Sequence, residues 1–173
     1  MQALVRQRTE NNRKDLPSGL CLPHGVTLFG TVHFYRVVQT PTILVMVSEQ
    51  DTPNYRQIFL DGRSHPKDLD PTWMGHSIGH WEKDTLVVDT VGLNDKAWLD
   101  GAGHPYTEQT HITERYRRPD LGHLEIEFTI DDPGAYAKPW TIKRVSDLAP
   151  KGEEVGEYIC NENNKDPAHL VGK

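Results

Sequence analysis

Short runs of β-branched and aromatic residues, separated by turn residues, recur along this chain from residue 21 onward. Eight such runs stand at close spacing: 33–38, 43–47, 55–60, 74–82, 85–91, 111–118, 123–130 and 140–145. Runs of this length bounded by Gly, Pro, Asn and Asp are typical of β-strands, and no long amphipathic helical pattern lies between them. The spacing therefore predicts an all-β fold, a single antiparallel β-barrel or sandwich of about eight strands.

The 173 residues fit one domain, in the size range of lipocalin or cupin barrels. Residues 1–20 are polar and predict an N-terminal arm or short helix, so the β-barrel domain is assigned to 21–173. Residues 93–99 also have a locally helical pattern. The segment after residue 161 predicts a short C-terminal helix or tail.

Charge and composition exclude several classes of function. The net charge is −6 with both signs mixed along the chain, so no basic stripe indicates a nucleic-acid partner. No stretch approaches the ~20 apolar residues of a membrane-spanning helix, so no membrane partner is expected. The first twenty residues lack the apolar core of a signal peptide, which indicates either a cytosolic protein or a leader already removed. The glycine patterns of dinucleotide and NTP sites and the GxSxG turn are absent.

Six of the nine histidines fall between residues 65 and 123, two of them in the hairpin formed by runs 74–82 and 85–91. A two-residue turn at 83–84 would place Asp89 opposite Ile78, between His76 and His80 on one face of the hairpin. Val87 and Val91 share that face. We therefore expect this face to point into the barrel.

The hairpin formed by runs 111–118 and 123–130 brings in a third histidine. A four-residue turn would pair Arg118 with His123 and place His111 opposite Ile130. In this register His111 and Arg115 point into the barrel, and Glu114 points to solvent.

Three inward imidazoles near a carboxylate predict a divalent metal site. His76, His80 and His111 are the expected metal ligands, with zinc as the default ion and iron, copper or manganese as alternatives. Asp89 would be a fourth ligand or a general base, and Arg115 would steady an anionic substrate. Loop residues His65 and His104, and Trp98, are additional candidates at the barrel mouth.

These residues predict a metal-dependent enzyme, a hydrolase or a lyase/isomerase acting on a small polar molecule. The alternative is a non-catalytic β-barrel that binds a small ligand or a metal, in which the inward side chains hydrogen-bond the ligand directly. Metal content of the purified protein separates the two. A homodimer is left open.

Two cysteines, Cys21 and Cys160, lie near the two ends of the chain. Two isolated cysteines cannot form a cysteine-based zinc site. They could close one long disulfide in an oxidising compartment or remain free thiols, and the residues alone do not decide between these alternatives.

From about residue 21 to the end, the chain resembles a family of uncharacterised bacterial proteins found in soil bacteria and metagenomes. The resemblance lies in RQIFLDGRSHPKDLDPTWMGHSIGHWEKDTLVVDTVGLND, WLDGAGHP, HITERYRRPDLGHLEIEFTIDDP, KPW and YICNENNKD. It implies no particular activity. It does imply an exported protein, periplasmic or secreted, with a Cys21–Cys160 bond; a cytoplasmic location is the alternative.

Overall fold

The computed structural model describes residues 2–31, 33–49, 53, 55–162 and 165. Within these ranges one α-helix, α1, and a 3-10 helix precede an eight-stranded sheet. The bounds are α1 Gln2–Glu10, 3-10 helix Pro17–Leu20, β1 Tyr35–Gln39, β2 Ile43–Ser48, β3 Tyr55–Phe59, β4 His76–Glu82, β5 Thr85–Val91, β6 His111–Arg117, β7 His123–Asp131 and β8 Trp140–Asp147. All eight predicted strands are present, with ends shifted by at most two residues.

The sheet is mixed and open. The strands follow one another across it in chain order, and every neighbouring pair is antiparallel except β3 and β4, which run parallel and share the single pair Phe59 and Ile78. The sheet curls into a half-barrel with β1 and β8 at its edges. The expectation of a β-rich domain is confirmed, but a closed, purely antiparallel barrel is wrong. The reason is the 60–75 connection, which crosses over before β4 and leaves β3 and β4 paired in register at one position only.

An irregular segment spans the open side between the two edge strands. After β8 the chain runs back towards β1, where Arg36 Nη2 donates a 3.3 Å hydrogen bond to the carbonyl of Glu153. Further along, the Gly156 amide donates to Glu49 Oε2 at 3.0 Å, just beyond β2. We call residues 148–156 the closing segment. Hydrogen bonds to these two points take the place of the strand pairing that would close a barrel.

The core lies on the concave face of the half-barrel. Alternation along the strands sends one set of side chains inward, namely Leu44, Met46, Ile58, Leu86, Val88, Ile112, Tyr116, Ile126, Phe128 and Ile130, all at most 8% exposed. Two irregular stretches fill part of the concavity. They supply Val26, Phe29, Leu93, Ala97, Leu99 and Tyr106 to the same core.

The predictions for the chain ends and for one inner segment have mixed outcomes. The N-terminal arm does contain a helix, and it packs through Arg8, whose guanidinium lies 4.6 Å from the ring centroid of Trp98. The prediction of a helix at 93–99 is wrong. The Thr72 amide donates a hydrogen bond to the Gly92 carbonyl, the Asn94 amide donates one to the Thr72 carbonyl, and these bonds hold the backbone around Leu93 extended. The C-terminal helix was predicted for a stretch that lies almost entirely outside the described residues.

Cys21 and Cys160 form a disulfide with their Cα atoms 5.6 Å apart. The bond joins the end of the 3-10 helix to the chain just beyond the closing segment. Both ends of the domain are thereby tied together. In the described residues, no helix has the length and apolar character needed to cross a bilayer.

Candidate functional site

The register predicted for the β4–β5 hairpin is confirmed, but its orientation is wrong. His76 pairs with Val91, Ile78 with Asp89 and His80 with Val87. The opposite face is the buried one, since Ser77, Leu86, Val88 and Thr90 are each at most 3% exposed. His76, His80 and Asp89 therefore lie on the outer face of the sheet, outside the half-barrel.

The register predicted for the β6–β7 hairpin is wrong by one residue. Ile112, not His111, pairs with Ile130, and Arg117 pairs with Glu125. The turn is longer than expected because the Asp120 carboxylate accepts hydrogen bonds from the amides of Gly122 and His123 and folds the chain locally. This shift turns His111 and Arg115 to the outer face.

Four side chains nevertheless meet on that outer face. Asp89 lies in the middle strand β5, with His76 on β4 and His111 on β6. Since neighbouring strands lie about 4.8 Å apart, the two histidines flank Val91 at a Cα separation of about 9.5 Å. His65 reaches in from the 60–75 connection between them. We call His65, His76, Asp89 and His111 the outer cluster.

The contacts within the outer cluster form a continuous chain. His65 Nδ1 and His76 Nδ1 are 2.8 Å apart, a hydrogen bond that requires one of the two nitrogens to carry the proton. The other nitrogen of His65, Nε2, lies 3.5 Å from Asp89 Oδ2. His111 Nε2 contacts the second carboxylate oxygen, Asp89 Oδ1. One carboxylate thus stands between two imidazoles.

His65 is more enclosed than Asp89 and His111. Its side chain is 18% exposed, against 39% for Asp89 and 47% for His111. Its Nε2 is buried, and no hydrogen-bond partner for it lies among the described residues. An unpaired buried ring nitrogen that faces a carboxylate is an unfavourable arrangement unless a proton or a cation occupies the gap.

The pKa of His76 is lowered from its ordinary value. Partial burial is the main cause that lowers its pKa, and the neighbouring His65 and Arg63 lower it further. Its ring also stacks on Phe59 with centroids 5.3 Å apart. Packing and hydrogen bonding therefore fix its orientation towards His65.

Two of the predicted site residues lie elsewhere on the outer face. His80 is 67% exposed and faces Glu82, with Nε2 3.3 Å from Oε1. Arg115 Nη2 donates to Glu82 Oε2 at 2.7 Å. Their expected inward direction is wrong, because alternation directs both side chains to solvent beside Glu82. Their assignment as metal ligand and substrate contact stays a prediction.

The two remaining candidates lie apart from the outer cluster. His104 hydrogen-bonds Asp100, Nδ1 to Oδ2 at 2.7 Å, and packs against Trp140. Trp98 is 2% exposed, and its ring lies beneath the Arg8 guanidinium of α1. Its role as part of a substrate wall stays a prediction.

The start of β6, and with it His111, is positioned by a buried carboxylate. Asp132 accepts hydrogen bonds from the amide and hydroxyl of Thr107, both at 2.6 Å, and from the hydroxyl of Thr110 at 2.7 Å. Burial alone would raise the pKa of Asp132, but these donors outweigh it and the pKa is lowered.

We expect Asp132→Asn to lower the free energy of unfolding by about 2 kcal/mol at pH 7, because the amide accepts fewer hydrogen bonds than the carboxylate. A lowered folded-state pKa stabilises the fold above the unfolded value near 3.8 and loses that effect as pH falls through the folded value. The difference in unfolding free energy between Asp132→Asn and the natural protein should therefore become smaller as the pH is lowered. Urea unfolding at pH 7 and pH 3 measures it, with the exposed neighbour Asp131→Asn as the control. A loss of unfolding free energy that is the same at pH 7 and pH 3 would contradict the prediction.

A buried ionic network on the concave face was missed by the sequence analysis. Arg56 is 2% exposed and Glu114 0%. The guanidinium donates to both carboxylate oxygens, one of them at 2.8 Å, and to Ser77 Oγ at 3.0 Å and Thr90 Oγ1 at 3.1 Å. The Tyr116 hydroxyl donates to Glu114 at 2.6 Å. Glu114 was expected at the surface, and only the correct β6–β7 register reveals it as an inward residue.

A cleft of about 360 Å³ opens beside His76, where β3 and β4 separate. Its walls include Tyr55, Gln57, Phe59, Trp73 and Met74. The volume lies within the range of about 300–1,000 Å³ that small-molecule sites occupy. Aromatic walls with one amide and one imidazole suit a small molecule of mixed polarity.

The chain has no recognised relative that assigns a role to this site. No family model, no curated protein and no solved structure matches it. Within the described ranges, no three His, Cys, Asp or Glu side chains are arranged, as they stand, to hold a metal ion. The molecule is thus defined by its own geometry, a mixed β half-barrel with a histidine–aspartate cluster on its outer face.

Proposed function

We propose that the protein is a metal-dependent enzyme that acts on a small polar molecule at the outer cluster. The divalent ion, zinc by default, would bind between His65 Nε2, Asp89 and His111 Nε2. This set of three replaces the inward histidines expected from the sequence. The observation that carries the proposal is the buried, unpaired Nε2 of His65 facing the Asp89 carboxylate.

The hydrogen bond between the rings of His65 and His76 supports the assignment of His65 as a metal ligand. In this proposal His76 Nδ1 accepts the hydrogen bond from His65 Nδ1–H. The lone pair of His65 Nε2 then points at Asp89. Metal-bound histidines commonly donate their other ring N–H to a neighbouring acceptor, which fixes the ring and its tautomer. In this proposal His76 is the residue that positions His65.

The distances suit two of the three ligands. Atoms 3.5 Å apart, as His65 Nε2 and Asp89 Oδ2 are, subtend about 113° at an ion about 2.1 Å from each, close to a tetrahedral angle. His111 Nε2 contacts the other carboxylate oxygen and would have to turn towards the ion. Its side chain is half-exposed, so such a rotation meets little packing. Binding would therefore require His111 to turn towards the ion.

Two histidines and a carboxylate leave a coordination position open for water or substrate. An ion in such a site lowers the pKa of bound water towards ~7 and polarises a carbonyl or phosphoryl oxygen. The adjoining cleft would hold the substrate, with His76 at its edge. Hydrolysis is the reaction this arrangement favours, and a lyase or isomerase reaction uses the same groups.

Metal titration tests the proposal. We expect chelator-treated protein to bind one Zn²⁺ per chain in calorimetry, and His65→Ala, Asp89→Asn and His111→Ala to lose that binding. His76→Ala should keep the stoichiometry and weaken affinity about 10–100-fold, as expected for a positioning residue. His80→Ala is the matched control, a histidine on the same face outside the cluster. Equal zinc binding in His65→Ala and His80→Ala would overturn the metal site.

Hydrolysis of p-nitrophenyl acetate and p-nitrophenyl phosphate, followed by absorbance, separates an enzyme from a metal-binding protein. Turnover that disappears with chelator and in His65→Ala supports the enzyme. Stoichiometric zinc binding without turnover of either compound contradicts hydrolysis and leaves metal binding as the function.

We also propose an oxidising compartment, periplasmic or extracellular, for the mature chain. The Cys21–Cys160 bond supports this, since disulfides persist in such compartments and are rare in the cytosol. The resemblance to exported bacterial proteins agrees with it and stays a prediction. Alkylation of cells with a maleimide before lysis should leave both cysteines unlabelled; labelling of both would contradict the assignment.

A further inference from the structure

A second, larger cavity lies on the opposite side of the sheet, at the open end of the half-barrel. Its volume is about 1070 Å³, and it is bounded by the concave face, the stretch leading into β1 and the closing segment. Its floor is apolar and consists of buried side chains from three strands, namely Leu44, Met46, Ile58 and Leu86. The two stretches that fill the rest of the concavity leave this end open.

Exposed apolar side chains gather around this cavity. Twelve large hydrophobic side chains are exposed among the described residues, and six of them line the cavity: Phe34, Val37, Trp81, Leu121, Val145 and Leu148. Scattered apolar residues are normal on a protein surface, but a contiguous concentration marks a binding site. Since these residues surround a concave space and not a flat patch, a small molecule fits better than another protein.

Three arginines line the cavity without an ion pair among the described residues, namely Arg36, Arg118 and Arg144. Arg36 and Arg118 are exposed, whereas Arg144 is half-buried. Arg144 points inward from β8, and its Nη1 donates only to main-chain carbonyls, those of Phe29 at 3.0 Å and Thr27 at 3.4 Å. No carboxylate forms an ion pair with it among the described residues, and none of the described contacts uses its Nη2. The other inward arginine, Arg56, is neutralised by Glu114. The charge of Arg144 is therefore available to a ligand.

The acidic residues around the mouth do not neutralise this charge. Glu49 faces His33 at 3.5 Å and Asp147 faces His123 at 3.8 Å. Asp84, Glu153 and Glu154 are exposed at the rim, where solvent screens them. Arg144 is half-buried on an apolar wall, where a charge acts more strongly on a group brought beside it.

We propose that this cavity binds an amphipathic carboxylate, a molecule with one carboxylate and a single alkyl chain. The carboxylate would accept hydrogen bonds from Arg144, and the chain would lie on the apolar floor towards Trp81. An apolar-walled cavity with one orienting polar group is the usual form of a small-molecule site. Because the sheet separates this cavity from the outer cluster, the proposal does not rest on the proposed enzyme function.

Calorimetry with three ligands of equal chain length tests the proposal on the full chain. Dodecanoate, dodecanol and dodecylamine differ only in the head group. We expect saturable 1:1 binding of dodecanoate, at least tenfold weaker binding of dodecanol, and weaker binding still of the amine. Chelator should leave dodecanoate binding unchanged. Absence of saturable dodecanoate binding, or equal or tighter binding of the alcohol or amine, would overturn the proposal.

Variants locate the head group. Arg144→Gln should weaken dodecanoate binding at least tenfold and leave dodecanol binding unchanged, whereas Arg144→Lys should retain part of the preference for the acid. Arg117→Gln, on the outer face in an ion pair with Glu125, removes the same charge away from the cavity and should change neither. If Arg144→Gln does not fold, the comparison of dodecanoate, dodecanol and dodecylamine on the natural protein still tests whether the cavity prefers a carboxylate. Equal dodecanoate binding in folded Arg144→Gln and Arg117→Gln would overturn the assignment.

Discussion

Replacing Glu114 by alanine is expected to lower the free energy of unfolding by about 3–5 kcal/mol, the largest effect of any single substitution considered for this protein. The substitution leaves the Arg56 guanidinium fully buried without its counter-charge. Burial opposes the charged form of Arg56, and the carboxylate of Glu114 with the Tyr116 hydroxyl outweighs it, so that the pKa of Arg56 is raised. Without the carboxylate only the burial effect and the hydroxyl contacts remain.

An exposed ion pair between β6 and β7 supplies the control. Arg117 Nη2 donates to Glu125 Oε2 at 2.7 Å, and both side chains are nearly half exposed. Because solvent screens such pairs, Glu125→Ala should cost less than about 1 kcal/mol. Urea unfolding followed by circular dichroism at pH 7 compares the two variants. If Glu114→Ala and Glu125→Ala lower the free energy of unfolding by similar amounts, the buried Arg56–Glu114 pair does not have the large effect on stability that is predicted for it.

The double variant Arg56→Met with Glu114→Leu distinguishes the pair from the space it fills. Replacing both charges by apolar side chains of similar volume leaves no buried charge unpaired. We therefore expect it to recover most of the stability lost in Glu114→Ala. A double variant as unstable as the single one would indicate that the hydrogen bonds to Ser77 and Thr90 are themselves essential.

The strands of this fold could be predicted from the sequence because each is a short apolar run bounded by turn residues. Which face of the β4–β5 hairpin is buried could not be predicted in this way. The run TLVVDTV carries apolar residues on both faces. Val87 and Val91 lie on one face and Leu86 and Val88 on the other, so hydrophobicity alone did not show which face is buried. Alternation fixes which residues share a face, but which face is buried depends on what the rest of the chain packs against it.

Two further features of the sites depend on tertiary structure. The position of His65 follows from the parallel crossover between β3 and β4, which alternation along a single strand does not reveal. The inward direction of Glu114 depends on one residue in the β6–β7 turn, set by the Asp120 carboxylate. His76, Asp89 and His111 were expected inside the barrel together with His80. They meet on the outer face because diagonal neighbours across paired strands share a face, and the β5–β6 pairing that brings His111 beside Asp89 was not part of the prediction.

Removing the Cys21–Cys160 disulfide is expected to have the second-largest effect, about 2–5 kcal/mol of unfolding free energy. The bond spans a sequence separation of 139 residues, so it restricts the unfolded chain over most of its length. It also anchors the chain that follows the closing segment, whose described hydrogen bonds to β1 and β2 are exposed and weak by themselves. Loss of the bond should therefore loosen the wall of the large cavity as well as the fold.

Urea unfolding with and without dithiothreitol measures the effect, with thiol counting to show that reduction is complete. Cys21→Ala combined with Cys160→Ala is the matched control, because it should be as unstable as the reduced protein and should not respond to reductant. Dodecanoate affinity should fall in both, since the closing segment forms one side of the cavity. A fully reduced protein that unfolds at the same urea concentration as the oxidised one would show that the sheet and its core hold the two ends of the domain without the covalent link.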